Sequence, residues 1–290
     1  MSFNKALSYS FSNNNLNKVI QIAIVFGIIS AMDFLLNENG LTSLGMLISG
    51  IGGLLFALFM SGYGIVVMQN ILHGEKRLPA FQIGKNIKDG FTILLASLVY
   101  FLPAIIIGGI LLTMFIPYGV YDFYADMNPD LYNTSPLVDI DPMTYIIMVG
   151  LGLLMVVLIF IASYAVIIGM ARFANEDRSR ALFEFSTNVR LVFKHAGDIF
   201  KLFLWQFLLL AIAFIVTFLI IAMMGIATFA SMGTTSLLFV FLICFQVVSS
   251  IVDTVHQIAN LHLIADFAIE TGIASSKTKN DDKLKTVYSF

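Results

Sequence analysis

The sequence predicts an all-α membrane protein: a bundle of six transmembrane helices with amphipathic helices at the membrane surface. Of the 290 residues, 59% are hydrophobic and 12% are charged, whereas soluble domains carry about 25% charged residues. The apolar residues form blocks of roughly twenty or more, as membrane-crossing helices require, without the alternation typical of barrel strands. All 16 Lys and Arg residues fall on one side of the topology that these blocks imply.

Six blocks are the predicted membrane spans. Their ranges are 19–36, 41–72, 91–118, 143–171, 200–229 and 236–267. The first block is as long as a span and lacks a clear small-x-small cleavage site, so we expect a signal anchor rather than a removed signal peptide. Residues 1–270 form a single transmembrane domain, and we expect residues 271–290 to be a disordered cytoplasmic tail.

The distribution of basic residues predicts the orientation. Lys and Arg precede the first span, follow the second and the fourth, and recur in the tail, while the other three connections contain none. Basic loops stay in the cytoplasm, so we expect a cell-membrane protein with both termini cytoplasmic. The sequon at Asn133 lies on the predicted outer side. The single Cys244 excludes an intramolecular disulfide.

An internal repeat emerges when the connections are compared. The stretch from Ser163 overlays the stretch from Gly62. The overlay pairs Tyr63 with Tyr164, Glu75 with Glu176 and Arg77 with Arg178. Each stretch ends a span and begins an amphipathic segment. Residues 3–11, before the first span, form a third amphipathic segment. The chain then divides into three parallel units, 1–74, 75–173 and 174–270, each an interfacial helix followed by two spans. Shared apolar composition is the alternative explanation.

A polar stripe in the sixth span is the candidate site. Its members recur at steps of three and four and include Gln246, Ser250, Asp253, His256, Gln257 and Asn260. This spacing aligns them on one helical face, and such groups are costly in a bilayer unless they face partners or water. In one interpretation, the stripe lines a cavity open to the cytosol, and its partners are Tyr63, Gln69, Asn70 and Tyr164. In the other, the later residues of the stripe lie in headgroup water, because this span of about 48 Å exceeds the hydrocarbon thickness.

Two other patterns concern helix packing. Small residues recur every fourth position in the second span, at Gly45, Ser49, Gly53, Ala57 and Ser61. Such a ridge lets a neighbouring helix approach closely, so we interpret it as a packing seam. Pro103 lies deep inside the third span and removes a helical hydrogen bond. It is either a hinge or a static bend that fits the bundle.

The sequence contains no motif for known catalytic chemistry. It has no His-Glu-x-x-His zinc motif, no phosphate-binding loop and no Gly-x-Ser-x-Gly elbow. His256 and His262 lie on largely opposite helical faces, which does not suit joint metal binding. We therefore expect no enzymatic activity, and no catalytic, cofactor or metal residues. A net charge of −2 gives no support to nucleic-acid binding.

A resemblance to a known family begins near the second connection. The relevant residues are Gly62 and Tyr63 at a span end, Gly74 and Glu75 in a turn, Leu78, Pro79 and Phe81, then Gly90, Tyr100 and Pro103. This pattern resembles the prokaryotic membrane proteins of domain-of-unknown-function family 4013. Ala80 separates Phe81 from the proline, which departs slightly from the family pattern. The resemblance implies a multi-pass membrane protein and assigns no functional residues.

Two functions from different classes are compatible with these features. The first is a transporter-like, channel-like or lipid-handling protein in which the stripe lines a cytosol-facing cavity. The second is a non-transporting membrane scaffold whose basic interfacial helices bind anionic lipid headgroups or a protein partner. The depth of Gln246 and Ser250 favours the first.

Overall fold

The computed structural model describes residues 1–12, 15–38, 42–127, 141–230 and 235–274. Within these ranges every regular element is a helix, which confirms the all-α class. The elements are α1 (Phe3–Phe11), α2 (Asn15–Glu38), α3 (Thr42–Leu72), α4 (Ile83–Met127), α5 (Pro142–Glu176), a 3-10 helix (Ser179–Phe183), α6 (Phe185–Lys194), α7 (Ala196–Ala230) and α8 (Thr235–Glu270). The sequon at Asn133 and most of the predicted tail lie outside the described residues.

Each predicted span lies in a separate helix, namely α2, α3, α4, α5, α7 and α8. Four of them, α3, α4, α5 and α7, contain a stretch long and apolar enough to cross a membrane, and α2 contains a shorter apolar stretch. Large apolar side chains cover the outside of the bundle, with Ile226 of α7 72% exposed and Phe214 70% exposed. Such an apolar exterior suggests a membrane protein.

The start of α4 differs from the prediction of a separate interfacial helix. The amphipathic segment continues without a break into the span, and α4 runs for 45 residues from Ile83 to Met127. Its two early glycines, Gly84 and Gly90, do not end the helix, because an internal glycine costs only about 1 kcal/mol relative to alanine. By contrast, α1 and α6 are separate short helices, as the sequence predicts.

The helices are arranged in an inner and an outer set. Helices α3, α5 and α8 contact one another and form the inner set. Outside them, α2 packs between α3 and α8, and α4 packs between α3 and α5. Helix α7 packs along α8 but makes no comparable backbone approach to α5 among the described residues. The α5–α7 side of the bundle is therefore the open one.

Helices α3 and α4 approach each other closely at two glycines, Gly62 and Gly90. A Cβ on Gly62 would stand 1.8 Å from the carbonyl oxygen of Asn86, and a Cβ on Gly90 would stand 1.8 Å from that of Leu58. Any side chain at either position would overlap the backbone of the facing helix. The two helices can approach this closely only because both positions are glycine.

The predicted ridge of small residues lies on another face of α3. Gly45 is buried, but Ala57 is exposed, and a Cβ on Gly53 would meet no described atom within 4 Å. Ser49 and Ser61 are half-buried, and each hydroxyl donates to a carbonyl of its own helix. The role of the ridge as a packing seam stays a prediction. Pro103 is exposed on an uninterrupted α4, and its role as hinge or bend is likewise still a prediction.

A buried asparagine ties down the connection between α3 and α4. Asn15 is 1% exposed; its Nδ2 donates to the carbonyls of Tyr9, at 2.7 Å, and Lys76, at 3.1 Å. Its Oδ1 accepts the backbone N–H of Leu78 at 2.7 Å. Both N–H donors and the oxygen of this amide therefore have partners, so Asn15 fixes α1, α2 and the connection to one another.

Asn188 plays the same part in the connection between α5 and α6. This residue is fully buried, and its Nδ2 donates to the hydroxyl of Tyr100, at 2.7 Å, and to the carbonyl of Ala181, at 2.9 Å. Its Oδ1 accepts from Arg172 Nη1 at 2.9 Å, and the Tyr100 hydroxyl donates to the carbonyl of Leu182 at 3.0 Å. The network joins α4, α5, the 3-10 helix and α6.

An ion pair extends this network toward solvent. Arg172 Nη2 donates to Glu184 Oε2 at 2.7 Å and lies 3.4 Å from Glu176 Oε1. The hydrogen bond and the charge of Arg172 hold the pKa of Glu184 below its ordinary value. Glu184 is therefore ionised at neutral pH, and the pair holds the start of α6 against the end of α5.

Candidate functional site

A chain of hydrogen bonds links α5, α7 and α8 on the open side of the bundle. The hydroxyl of Tyr164 donates to Gln206 Oε1 at 3.0 Å, and Gln206 Nε2 donates to Asn260 Oδ1 at 2.8 Å. Tyr164 is buried, while Gln206 and Asn260 are half-buried. Each helix contributes one polar side chain, so the chain bridges the gap that the backbones of α5 and α7 leave open.

The three polar side chains line a cavity of about 480 Å³ between these helices. Its wall consists of Val156, Ile159, Phe160, Ser163, Tyr164 and Ile167 from α5, Phe203, Gln206, Phe207 and Leu210 from α7, and His256 and Asn260 from α8. Phe160 and Phe203 of this wall are in edge-on contact, with ring centroids 6.0 Å apart. None of these described lining residues is Lys, Arg, Asp or Glu.

The polar stripe of α8 divides among three environments. His256 and Asn260 line the cavity. Ser250 is 2% exposed and faces α2, because its Oγ lies 3.6 Å from where a Cβ on Gly27 would stand; its hydroxyl donates to the carbonyl of Gln246. Asp253 and Gln257 are exposed on the outside of the bundle, and Gln246 is half-buried.

The residues predicted as partners of the stripe are also divided. Tyr164 reaches the stripe through Gln206. The other three bind the connections near the same end of the bundle. The hydroxyl of Tyr63 donates to the carbonyl of Pro79, Gln69 Nε2 donates to Asp177 Oδ1, and Asn70 Nδ2 donates to the carbonyl of Arg77. These three side chains therefore stabilise loops instead of meeting Asp253.

Sequence reasoning missed Gln206. Its signal is an uncharged amide in the apolar run of α7, where every following residue as far as Ala230 is apolar, Gly or Thr. A polar residue inside such a run usually faces the bundle interior. That rule marks Gln206 as a site candidate but does not identify its partners, which lie 42 and 54 positions away in the sequence.

The polar side chains of the cavity are Ser163, Tyr164, Gln206, His256 and Asn260. Asn260 Nδ2 and the second N–H of Gln206 have no hydrogen-bond acceptor among the described residues, so both can donate to a ligand. The rest of the wall is largely aliphatic and aromatic. Among the described residues no three His, Cys, Asp or Glu side chains are grouped to hold a metal. The arrangement suits a ligand with a neutral polar head and a hydrocarbon body.

Comparison with known proteins identifies one family. A family model described as "Protein of unknown function (DUF4013)" matches residues 45–225. A search of curated proteins gives no match, nor does a search of solved structures. The matched range contains the Gly62–Gly90 contact and the α5 and α7 walls of the cavity. It covers more than half of the chain, and it confirms that the protein belongs to the DUF4013 family of proteins of unknown function.

Proposed function

We propose that the protein is a multi-pass integral protein of the cell membrane that crosses the bilayer six times, through α2, α3, α4, α5, α7 and α8, with both termini in the cytoplasm. Two observations support this topology. Four of these helices, α3, α4, α5 and α7, contain apolar stretches of membrane-spanning length, and all 16 Lys and Arg residues lie on one side when α2 and α8 also cross the membrane.

The packing pattern supports three repeated units. In each unit of this proposal, the second span belongs to the inner set, as α3, α5 and α8 do, and the first span lies outside it. Helices α2 and α4 each fit between two inner helices, and a repeat would place α7 in the same way between α8 and α5. The third position differs because α7 stands away from α5, and the cavity occupies that gap.

The topology has a direct test with single cysteines in a Cys244→Ser background. We expect Lys85→Cys to react with a membrane-impermeant maleimide only from the cytoplasmic side and Asp141→Cys only from the outside. Both positions are exposed, so access to the reagent is not limited by burial. Lys194→Cys is the matched second cytoplasmic marker. Labelling of Lys85→Cys and Asp141→Cys from the same side would overturn the topology.

Within this topology, we propose that the cavity between α5, α7 and α8 binds a lipid-like molecule with an uncharged polar head, as part of a transporter-like or lipid-handling activity. The observation that carries the proposal is the Tyr164–Gln206–Asn260 chain of hydrogen bonds in a largely apolar wall on the open side of the bundle, where Ser163 and His256 are the other polar lining residues. Gln206 and Asn260 each lie ten residues, or about 15 Å of helix, from the proposed cytoplasmic ends of α7 and α8. A hydrocarbon tail can therefore stay in the bilayer while the head meets the amides.

Photo-crosslinking tests this binding. We expect a monoacylglycerol with a diazirine in its acyl chain to label α5 and α7 more strongly than a fatty acid with the same diazirine, because a buried carboxylate is costly where no Lys or Arg lines the cavity to pair with it. Gln206→Leu should reduce the neutral probe's labelling roughly threefold to tenfold, the range for one lost hydrogen bond. Thr217→Leu, three turns further along the same face of α7, should leave it unchanged.

A different outcome would favour the scaffold alternative. If both probes label the cavity equally and Gln206→Leu changes neither, the hydrogen-bond chain acts only to lock the bundle. The thermal unfolding midpoint of Gln206→Leu separates the two roles, since a lock lowers the midpoint whether or not a ligand is present. A binding group instead changes the stabilisation that the monoacylglycerol adds.

A further inference from the structure

A second cavity lies on another side of the bundle, between α2, α3 and the start of α4. It has a volume of about 400 Å³. The wall consists of Gln21, Ile22, Val25 and Ile29 from α2, Gly52, Leu55, Phe56 and Phe59 from α3, and Phe81, Ile83 and Ile87. Gln21 is the one polar side chain among these described lining residues, so the interior offers almost no hydrogen-bonding group.

The shape of this groove suits a single hydrocarbon chain. Ile22, Val25 and Ile29 lie on one face of α2 and extend along it for about 10 Å. Phe81 lies in its wall near Tyr63, against which its ring packs with centroids 5.3 Å apart, and it also packs against Phe59 at 5.9 Å. The groove therefore runs along α2 and α3, in the direction that lipid chains take in the proposed topology.

A positive charge stands near Phe81. Lys18 lies one turn before Ile22 on the same face of α2, and its Nζ donates to the carbonyls of Leu78 and Pro79, the latter at 3.0 Å. An ammonium group has three N–H donors, so one remains for a ligand. No carboxylate lies within 4 Å of Lys18 among the described residues.

The connection beside Lys18 is also basic. It contains Lys76 and Arg77 against the single carboxylate of Glu75, and Arg77 is exposed. Lys18 directly precedes the predicted span 19–36, which is the depth of lipid headgroups in the proposed topology. An apolar groove that ends in an uncompensated cation at this depth complements a lipid with an anionic headgroup.

We propose that this groove binds an anionic phospholipid, with one acyl chain between α2 and α3 and the phosphate on Lys18, next to Arg77. The proposal rests on the proposed topology but not on the proposed ligand of the other cavity. Lys18 also donates hydrogen bonds to the α3–α4 connection, so a lipid bound to Lys18 would help to hold that connection in place. A neutral lipid could fill the groove but would leave the Lys18 charge without a counterion.

Tryptophan quenching by brominated lipid tests the site. The reporter is Phe81→Trp in a Trp205→Phe background, since Trp205 is the one native tryptophan. In phosphatidylcholine vesicles, we expect brominated phosphatidylglycerol to quench this reporter with an apparent affinity about fivefold higher than brominated phosphatidylcholine, the preference that one basic side chain contributes. Lys18→Gln should abolish the preference.

A matched reporter controls for general attraction to the surface. Phe200→Trp in the same background lies beside Lys201 at the start of α7, outside both cavities, and should show little preference between the two lipids. If Lys18→Gln fails to fold, Arg77→Gln, at an exposed position, replaces it and should weaken the preference. Equal quenching of Phe81→Trp by the two lipids overturns the lipid site, whereas no quenching of either reporter by any lipid overturns the membrane topology instead.

Discussion

Gly90→Ala is expected to destabilise the protein more than alanine at any other glycine of α4. The new Cβ would stand 1.8 Å from the carbonyl oxygen of Leu58 and 2.6 Å from its carbonyl carbon. These are backbone atoms of α3, which cannot move away by a side-chain rotation, so the two helices must separate. Overpacking of this kind costs about 1–3 kcal/mol and occasionally more, and separation would also loosen the Gly62 contact one turn away.

The measurement is the midpoint of thermal unfolding in detergent, followed by the monodisperse fraction after heating. For a protein of this size, about 3 kcal/mol corresponds to a fall of roughly 6–12 °C. Gly109→Ala, on the same helix, is the matched control because its Cβ would meet no described atom within 4 Å. Alanine is the better helix former by about 1 kcal/mol, so the unfolding midpoint of this control should equal or exceed that of the unsubstituted protein. Equal midpoints for the two variants would contradict the close α3–α4 contact.

The helices could be predicted from the sequence because each depends on local information. A block of about twenty apolar residues implies a helix wherever it lies, and all six blocks became helices. The contact between α3 and α4 could not be found in that way. The small-residue ridge ends at Ser61, and Gly62 lies about 100° further around the helix. Only the position of α4, which no spacing within α3 encodes, decides which of these faces is the close one.

For the candidate site, the sequence predicted the residues of the polar stripe but not the different environments in which they lie. The stripe placed His256 and Asn260 on one face with Ser250 and Asp253, and periodicity alone makes them equivalent. In the bundle that face meets α2 at Ser250 and α7 at Asn260, and leaves Asp253 exposed. The division results from the crossing of neighbouring helices along α8. The same crossing brings Gln206 of α7 into contact with Tyr164 and Asn260, which are distant from it in the sequence.

Asn188→Leu is the second change for which we expect a large effect. It removes the acceptor of Arg172 and the donor to both Tyr100 and Ala181 in a fully buried place. A buried hydrogen bond contributes about 0.5–1.5 kcal/mol, or about 1.5–3 kcal/mol when one group is charged, and three such bonds are lost, one of them to Arg172. The expected loss is therefore several kcal/mol, or a fall of roughly 10 °C in the unfolding midpoint.

Asn70→Leu is the matched control, because Asn70 makes one exposed hydrogen bond to the carbonyl of Arg77 and its loss should cost about 1 kcal/mol or less.

A double variant separates the loss of the hydrogen-bond network from the loss of side-chain packing at position 188. Once Leu replaces Asn188, adding Tyr100→Phe removes a hydroxyl that has already lost one partner, so the double variant should lose less than the sum of the single changes. Strict additivity would mean that Asn188 and Tyr100 stabilise the α5–α6 connection independently, and that the buried hydrogen-bond network is not a single unit.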